Sequence, residues 1–268
     1  MDAPQLLDKE RERTTFPPEE LQQLVSGNPE MRHRMQAIAE ADPLLGDKTE
    51  SVFPMGRKES YALMLQKWHR CISLGEELGL TPGERGTLSM VAGISSGIGL
   101  HSGVFVPTIM KQSTPEQLEQ WADKLWPQGN WIGCCKIVYK IGRAALPSNP
   151  ETDAQTEIAH GSNVRGLETT CTFLPDTDEF DVHMPELSSI KWWPGALGVL
   201  SNHAVLYARL VVAGEDLGVH NFLVQLRDLE THAPLPGVEV GDIGPKWGTN
   251  GNDNGVSSTP PFVALSIV

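Results

Sequence analysis

Two stretches carry residue types that could hold a ligand. The first runs Gln155-Thr156-Glu157-Ile158-Ala159-His160-Gly161-Ser162-Asn163-Val164-Arg165-Gly166-Leu167-Glu168-Thr169-Thr170. It gathers hydroxyl, amide and glycine positions where a strand begins, the composition of a loop that offers backbone N–H groups and hydroxyls to the polar edge of a ligand. The second, Ser189-Ile190-Lys191-Trp192-Trp193-Pro194-Gly195, pairs two tryptophans with a glycine. The tryptophans serve either as an aromatic platform beside a close backbone approach at Gly195 or as core residues at a strand end.

A third segment, Ala92-Gly93-Ile94-Ser95-Ser96-Gly97-Ile98-Gly99-Leu100, resembles the dinucleotide turn of short-chain dehydrogenases. There the glycines let the backbone approach a pyrophosphate at a helix N-terminus. That turn belongs after the first strand of an alternating β/α chain, yet helical patterning precedes it here and strand patterning follows. Tyr61, Tyr139 and Tyr207 also lack a lysine four residues on, so the Tyr-x-x-x-Lys pair is missing. A glycine turn that packs helices is the favoured reading, and a nicotinamide-dependent dehydrogenase the lesser alternative. The eight histidines show no metal-ligand spacing, and no Gly-x-Ser-x-Gly elbow occurs. Cys71, Cys134, Cys135 and Cys171 form neither a disulfide framework nor a C-x-x-C pair, which points to a reducing compartment.

The elements that must position these residues change character near the middle of the chain. Up to about residue 126 the pattern is helical. Asn28-Pro29-Glu30 supplies an N-cap, a proline at the first helical position and an acidic first turn, followed by Met31, Met35 and Ile38 on one face. Ser113-Thr114-Pro115-Glu116 predicts another start, with Glu116 completing a capping box and Leu118, Trp121 and Leu125 facing inward. A helix from Lys58 to Leu78 turns Tyr61, Leu65, Trp68 and Ile72 inward. From Trp131 the period is two. Leu167, Thr169, Cys171 and Phe173, the turn Pro175-Asp176-Thr177-Asp178, and Phe180, Val182 and Met184 predict a hairpin, and Ala204–Val212 and Val219–Leu226 predict further strands. The fold class is therefore α+β: a helical domain followed by an antiparallel β-barrel or sandwich.

Composition narrows the function classes. The chain has 268 residues, enough for a substantial core, with 40% apolar and 21% charged residues. Its 21 Lys and Arg against 34 Asp and Glu give a net charge of −13, which argues against phosphate-backbone affinity and so against nucleic-acid binding. No apolar run reaches the ~20 residues of a membrane helix. The N-terminus lacks the order of a secretion signal, and the terminal Leu-Ser-Ile-Val is not a peroxisomal address.

The loop at Gln155 and the Trp-Trp-Pro-Gly segment resemble the peroxisomal acyl-CoA oxidases, relatives of the acyl-CoA dehydrogenases. His101 to Thr108, Trp131-Ile132-Gly133-Cys134, His203-Ala204-Val205, Pro234-Leu235-Pro236-Gly237 and Val240 to Lys246 follow that family's pattern in its order, and Arg11 to Leu80 resembles its N-terminal helical segment more loosely. The resemblance implies a flavoenzyme: FAD takes a hydride from the β-carbon of a fatty acyl-CoA while a carboxylate removes the α-proton, and O2 is reduced to H2O2. It implies Thr156 and Gly195 as FAD contacts, peroxisomal fatty-acid β-oxidation, and homodimers of the full-length enzymes. Arg165 either adds charge near the flavin or forms a structural ion pair.

The expected division is residues 1–130 helical, 131–255 the flavin-facing β domain, and 256–268 a tail outside the family pattern. Residues 135–153 stand where the family has a single tyrosine. Cys135-Lys136 can be encoded TGT-AAG, Thr152-Asp153 ACA-GAC and Val256-Ser257 GTA-AGT, so both departures read as translated introns. The family's catalytic glutamate lies in a C-terminal helical region with no counterpart here, so no residue is assigned as the base, neither Glu157 nor Glu168, and the chain as written is expected to be inactive. A non-catalytic binding or interaction remnant is the other reading.

Overall fold

A computed structural model of the chain describes residues 3–46, 55–94, 99, 101–125, 134–135, 147–148, 151–258 and 264–265. The chain divides into two compact units, Met1–Glu50 with Arg70–Ile94, and Ser51–His69 with Ser95–Val268.

The smaller unit is helical, comprising α1 (Ala3–Glu12), α2 (Pro18–Ser26), α3 (Pro29–Ala41), the later turns of α4 (Arg57–Glu77) and α5 (Pro82–Val91). Asn28 caps α3 as its sequence demands, its side chain accepting from Met31 N at 2.9 Å with Pro29 at the first position. Met35, Ala39, Leu45, Cys71, Leu74, Leu80 and Leu88 form the core. Asp42, at the end of α3, accepts from Leu44 N, Leu45 N and, at 2.6 Å, from Arg70 Nε of α4. Burial pushes the Cys71 thiol up to about 11, which keeps it protonated and unreactive.

The larger unit begins with the first half of α4, whose Tyr61 and Leu65 are buried and whose Trp68 is half-buried. A π-turn, His101–Phe105, leads into α6 (Val106–Gln112), and α7 (Pro115–Leu125) follows. The cap of α7 lies one residue beyond the predicted place: Thr114 Oγ1 accepts from Gln117 N, and Gln117 Oε1 accepts from Thr114 N. Thr-Pro is the better junction, because the residue before a proline is already driven to the extended conformation that an N-cap needs.

The strands are β1 (Cys134–Cys135), β2 (Pro147–Ser148), β3 (Glu151–Ala154), β4 (Thr170–Leu174), β5 (Glu179–His183), β6 (Lys191–Gly195), β7 (His203–Val212), β8 (Glu215–Gln225), β9 (Glu239–Asp242), β10 (Asn254–Ser258) and β11 (Ala264–Leu265). The hairpin β4/β5 pairs Cys171 with Val182 and Phe173 with Phe180. β7 is the hub. One edge pairs antiparallel with β8, and the other runs parallel to β3 at its start and to β4 at its end. β6, β10 and β9 form a separate three-stranded antiparallel sheet. The sheet around β7 is thus mixed rather than purely antiparallel, and among the described residues neither sheet closes into a barrel. A period of two reports which face a side chain takes, not the direction of the neighbouring strand.

β7 is buried on both faces, which is why Ala204–Val212 is a nearly unbroken apolar run. Ala204, Leu206 and Ala208 face the main core with Cys171, Val182, Leu197, Phe222 and Val224, while Val205 meets Phe105 of the π-turn, Ile109 of α6 and Trp121 of α7. The stretch read as an insertion supplies Glu151–Asp153 of β3, and the stretch read as a foreign tail supplies Val256–Ser258 of β10.

Asp178 closes the β4/β5 turn at φ 56°. Asp tolerates that conformation, glycine adopts it freely and a β-branched residue does not. Asp178→Val is expected to be about 1–2 kcal/mol less stable than Asp178→Gly in urea unfolding.

Candidate cofactor-binding site

The loop after β3 and the strand β6 meet at a buried ion pair. Glu157 and Lys191 face each other across an isolated antiparallel bridge, and both are essentially inaccessible, at 1% and 0% exposure. Glu157 Oε1 accepts from Lys191 Nζ at 3.1 Å, Thr169 Oγ1 at 2.5 Å and Thr169 N at 2.9 Å. Its Oε2 accepts from Glu168 N at 2.9 Å and lies 2.8 Å from His160 Nδ1, the nitrogen that carries the proton when a carboxylate faces it. Lys191 Nζ also donates to the carbonyls of Tyr207, at 2.8 Å, and Gln155, at 3.2 Å. Burial alone would push the Glu157 carboxyl up. The Thr169 hydroxyl, the N–H groups of Glu168 and Thr169 and the Lys191 charge outweigh it and hold the group below the ordinary glutamate range.

This pair orients everything around it. Trp192 N donates to Thr156 O at 3.0 Å, so the backbone pairing continues one residue beyond the bridge. Because neighbours along a strand alternate faces, Glu157 and Lys191 pointing inward send Thr156 and Trp192 outward. Thr156 is half-buried, its hydroxyl making no hydrogen bond among the described residues, and Trp192 is 38% exposed. Trp193 follows at 51% exposure with φ 86°, and Ala196 has φ 67°. Such backbone costs of order 1–3 kcal/mol per residue and persists only where its surroundings impose it. Gly195 sits buried between the two bends, at the end of β6. Paired tryptophans on a surface, a free hydroxyl and a glycine at a strand end fit the flat ring and polar edge of a flavin.

The structure thus brings Thr156, in the loop after β3, beside the Trp192–Gly195 segment of β6. Arg165 forms no side-chain ion pair among the described residues, and its carbonyl accepts from Arg209 Nη1 at 3.1 Å. Glu168 is engaged by the Ser188 hydroxyl at 2.5 Å. Lys191 escaped sequence reasoning as a structural centre. The available signal was a lysine in the inward register of the strand that carries two tryptophans, where only a buried carboxylate could keep it.

A second set of contacts anchors the segment that returns to Gly195. Arg57, at the start of α4, donates to both Asp242 oxygens, at 2.9 and 2.8 Å, and to Asn250 O and Oδ1, while its guanidinium lies 4.7 Å over the Tyr61 ring. The Tyr61 hydroxyl donates to Asp242 as well. Asp253, 1% exposed, is pushed up by burial, against the pull of the Val199 and Leu200 N–H groups.

The glycine-rich segment is not a dinucleotide turn. It follows α5 rather than a strand, and Gly93, at φ 66°, ends that helix: Gly93 N donates to Met90 O and Ile94 N to Ser89 O, the paired bonds of a glycine C-cap. The element that a short-chain dehydrogenase needs as a strand is the helix Pro82–Val91. Residues 95–98 and 100 lie outside the described residues.

This combination of helices and sheets matches the fold of part of the solved acyl-CoA oxidases. Residues 17–127 match the acyl-coenzyme A oxidase N-terminal domain, and most of the chain is similar to peroxisomal acyl-coenzyme A oxidases. It is 40% identical over 255 residues to peroxisomal acyl-coenzyme A oxidase 1 of Arabidopsis thaliana, an alignment covering 93% of this chain and 35% of that protein. Among solved structures, Arabidopsis thaliana acyl-CoA oxidase 1 superposes with a TM-score of 0.77 at 37% identity, over 96% of this chain and 37% of that one. Acyl-CoA oxidase-2 of Caenorhabditis elegans, bound with FAD, ascaroside-CoA and ATP, superposes at 0.73 with 31% identity, over 100% of this chain and 39% of that one. The chain spans about a third of the length of the curated relatives it matches.

Removing one partner of a buried pair strands the other charge, a loss of about 3–5 kcal/mol. Glu157→Gln is expected to lose that much at neutral pH. Because the folded value of Glu157 is depressed, its contribution is full above the ordinary carboxylate range and fades as pH falls through the depressed value. Urea unfolding of both proteins should therefore show the gap narrowing below about pH 4.

Proposed function

We propose that this chain is the flavin-facing portion of a peroxisomal acyl-CoA oxidase, acting on fatty acyl-CoA in fatty-acid β-oxidation. The observation that carries the reading is the shared outward face of Thr156 and Trp192, continuing to Trp193 and ending at the buried Gly195, fixed from behind by the Glu157–Lys191 pair. FAD, when bound, supplies the acceptor for the substrate's β-hydride, so that fatty acyl-CoA becomes trans-2-enoyl-CoA and O2 becomes H2O2. This chain's own contribution is placement: the Thr156 hydroxyl and the backbone at Gly195 meet the polar edge, and Trp192 and Trp193 shield a ring face from water. Fixed donors of this kind favour the negative charge that a reduced flavin carries.

No described residue is given the α-proton. Both Glu157 oxygens are filled by donors, so it serves as the anchor of the site and not as its base. Location in peroxisomes follows the names of the relatives, and homodimer formation and O2 as acceptor belong to the same proposal.

Purified with added FAD and then desalted, the chain is expected to retain flavin absorbance, and Thr156→Ala to weaken FAD binding about tenfold, the loss of one hydrogen bond to a bound polar group. Complete loss of flavin from the unsubstituted chain sinks the reading.

A further inference from the structure

Two non-glycine residues at positive φ, Trp193 and Ala196, flank Gly195, and something must hold them there. The partner is the start of β10. Asn254 is the register partner of Gly195, and its Nδ2 donates to the Trp193 carbonyl at 2.7 Å. On the far side of the glycine, Ala196 N donates to the Asp253 carbonyl at 2.5 Å. The Asp253 carboxyl then accepts from Val199 N at 2.8 Å and Leu200 N at 3.0 Å, which folds the chain back after the bend. Arg227 holds the same turn from another strand end, donating to the carbonyls of Gly198 and Ser201.

Space is as restrictive as bonding. A Cβ on Gly255 would stand 2.3 Å from Gly198 N, and one on Gly198 would stand 2.6 Å from the Asp253 Oδ1. Asp253 and Asn254 are 1% and 5% exposed, so neither reaches a ligand itself. Their side-chain hydrogen bonds go to the backbone of the bend at Trp193 and the turn that follows it. The register between β10 and β6 also slips between Asn254 and Val256, as expected where one strand is bent over its partner.

We infer that Asp253-Asn254-Gly255 is a positioning element: it sets the bend of β6 that turns Trp193 outward and brings the Gly195 backbone to the cofactor edge. The inference rests on the flavin reading above and extends it to residues that never touch the flavin. Asn254→Asp replaces the donor by an acceptor of the same shape, facing a carbonyl. Asn254→Ala removes the donor without adding charge, and serves if the first variant does not fold. Ser258→Ala, on the exposed end of the same strand, is the control.

Hydrogen exchange of segment 191–201, read by mass spectrometry in the chain without flavin, is expected to accelerate about tenfold in the Asn254 variants while β7 and β8 keep their protection. The FAD dissociation constant of the same variants is expected to rise about tenfold, with the control unchanged in both measurements. Unchanged exchange in the segment overturns the inference whether or not flavin binds. Faster exchange with FAD affinity within about twofold of the unsubstituted chain overturns it too, since the bend then has no bearing on the cofactor. If the unsubstituted chain takes up no FAD, the flavin reading falls together with the cofactor half of this inference.

Discussion

Glu157 and Lys191 are the pair on which the site depends. A charge taken out of water is tolerated only when its partner and the remaining hydrogen-bonding positions are all supplied. Here the carboxylate collects donors from Thr169, Glu168, His160 and Lys191, and the ammonium reaches two carbonyls besides. Those partners come from the loop after β3, the entry to β4, the strand β6 and the hub strand β7. One ion pair therefore ties four backbone segments to a common centre. Breaking it would release the loop that carries Thr156 and the strand that carries the tryptophans together.

The outward face follows from the inward one. Once Glu157 and Lys191 are committed to the interior, the pleat sends Thr156 and Trp192 to the surface, and no further information is needed to place them there. Trp193 escapes the alternation through its positive φ, and Gly195 is framed by that bend and the one at Ala196. The strain is local and is balanced by bonds from β10, itself tied to α4 through the adjoining segment, where Arg57 grips Asp242 and Asn250. Exposed tryptophans on a distorted strand end are costly as pure structure, which is the physical reason to read them as a ligand face.

Much of this was legible in the residues. Asn28-Pro29-Glu30 caps α3 as its chemistry requires, α4 runs within a residue of its expected limits, and the β4/β5 hairpin turns at Pro175–Asp178. The cap of α7 was displaced by one residue, because Ser113 and Thr114 both carry a capping hydroxyl and only the proline separates them. The box of Thr81 with Glu84, which starts α5, is equally local chemistry. The glycines after α5 share the spacing of a phosphate loop, but the helical pattern before them already favours a helix-packing turn.

By itself the sequence determined the succession of helices and strands and the membership of the core faces, and it singled out the two short segments on which the proposed cofactor face rests. These are local properties: caps, periods and glycine positions act within a few residues of one another. Only the tertiary structure decided that β3 and β4 run parallel to β7, that Lys191 is spent on Glu157, and that Asp253 and Asn254 govern the bend at Gly195. Strand direction, the pairing of buried charges and the holding of strained backbone each depend on a partner distant in the chain, and nothing in a residue's own neighbourhood specifies it.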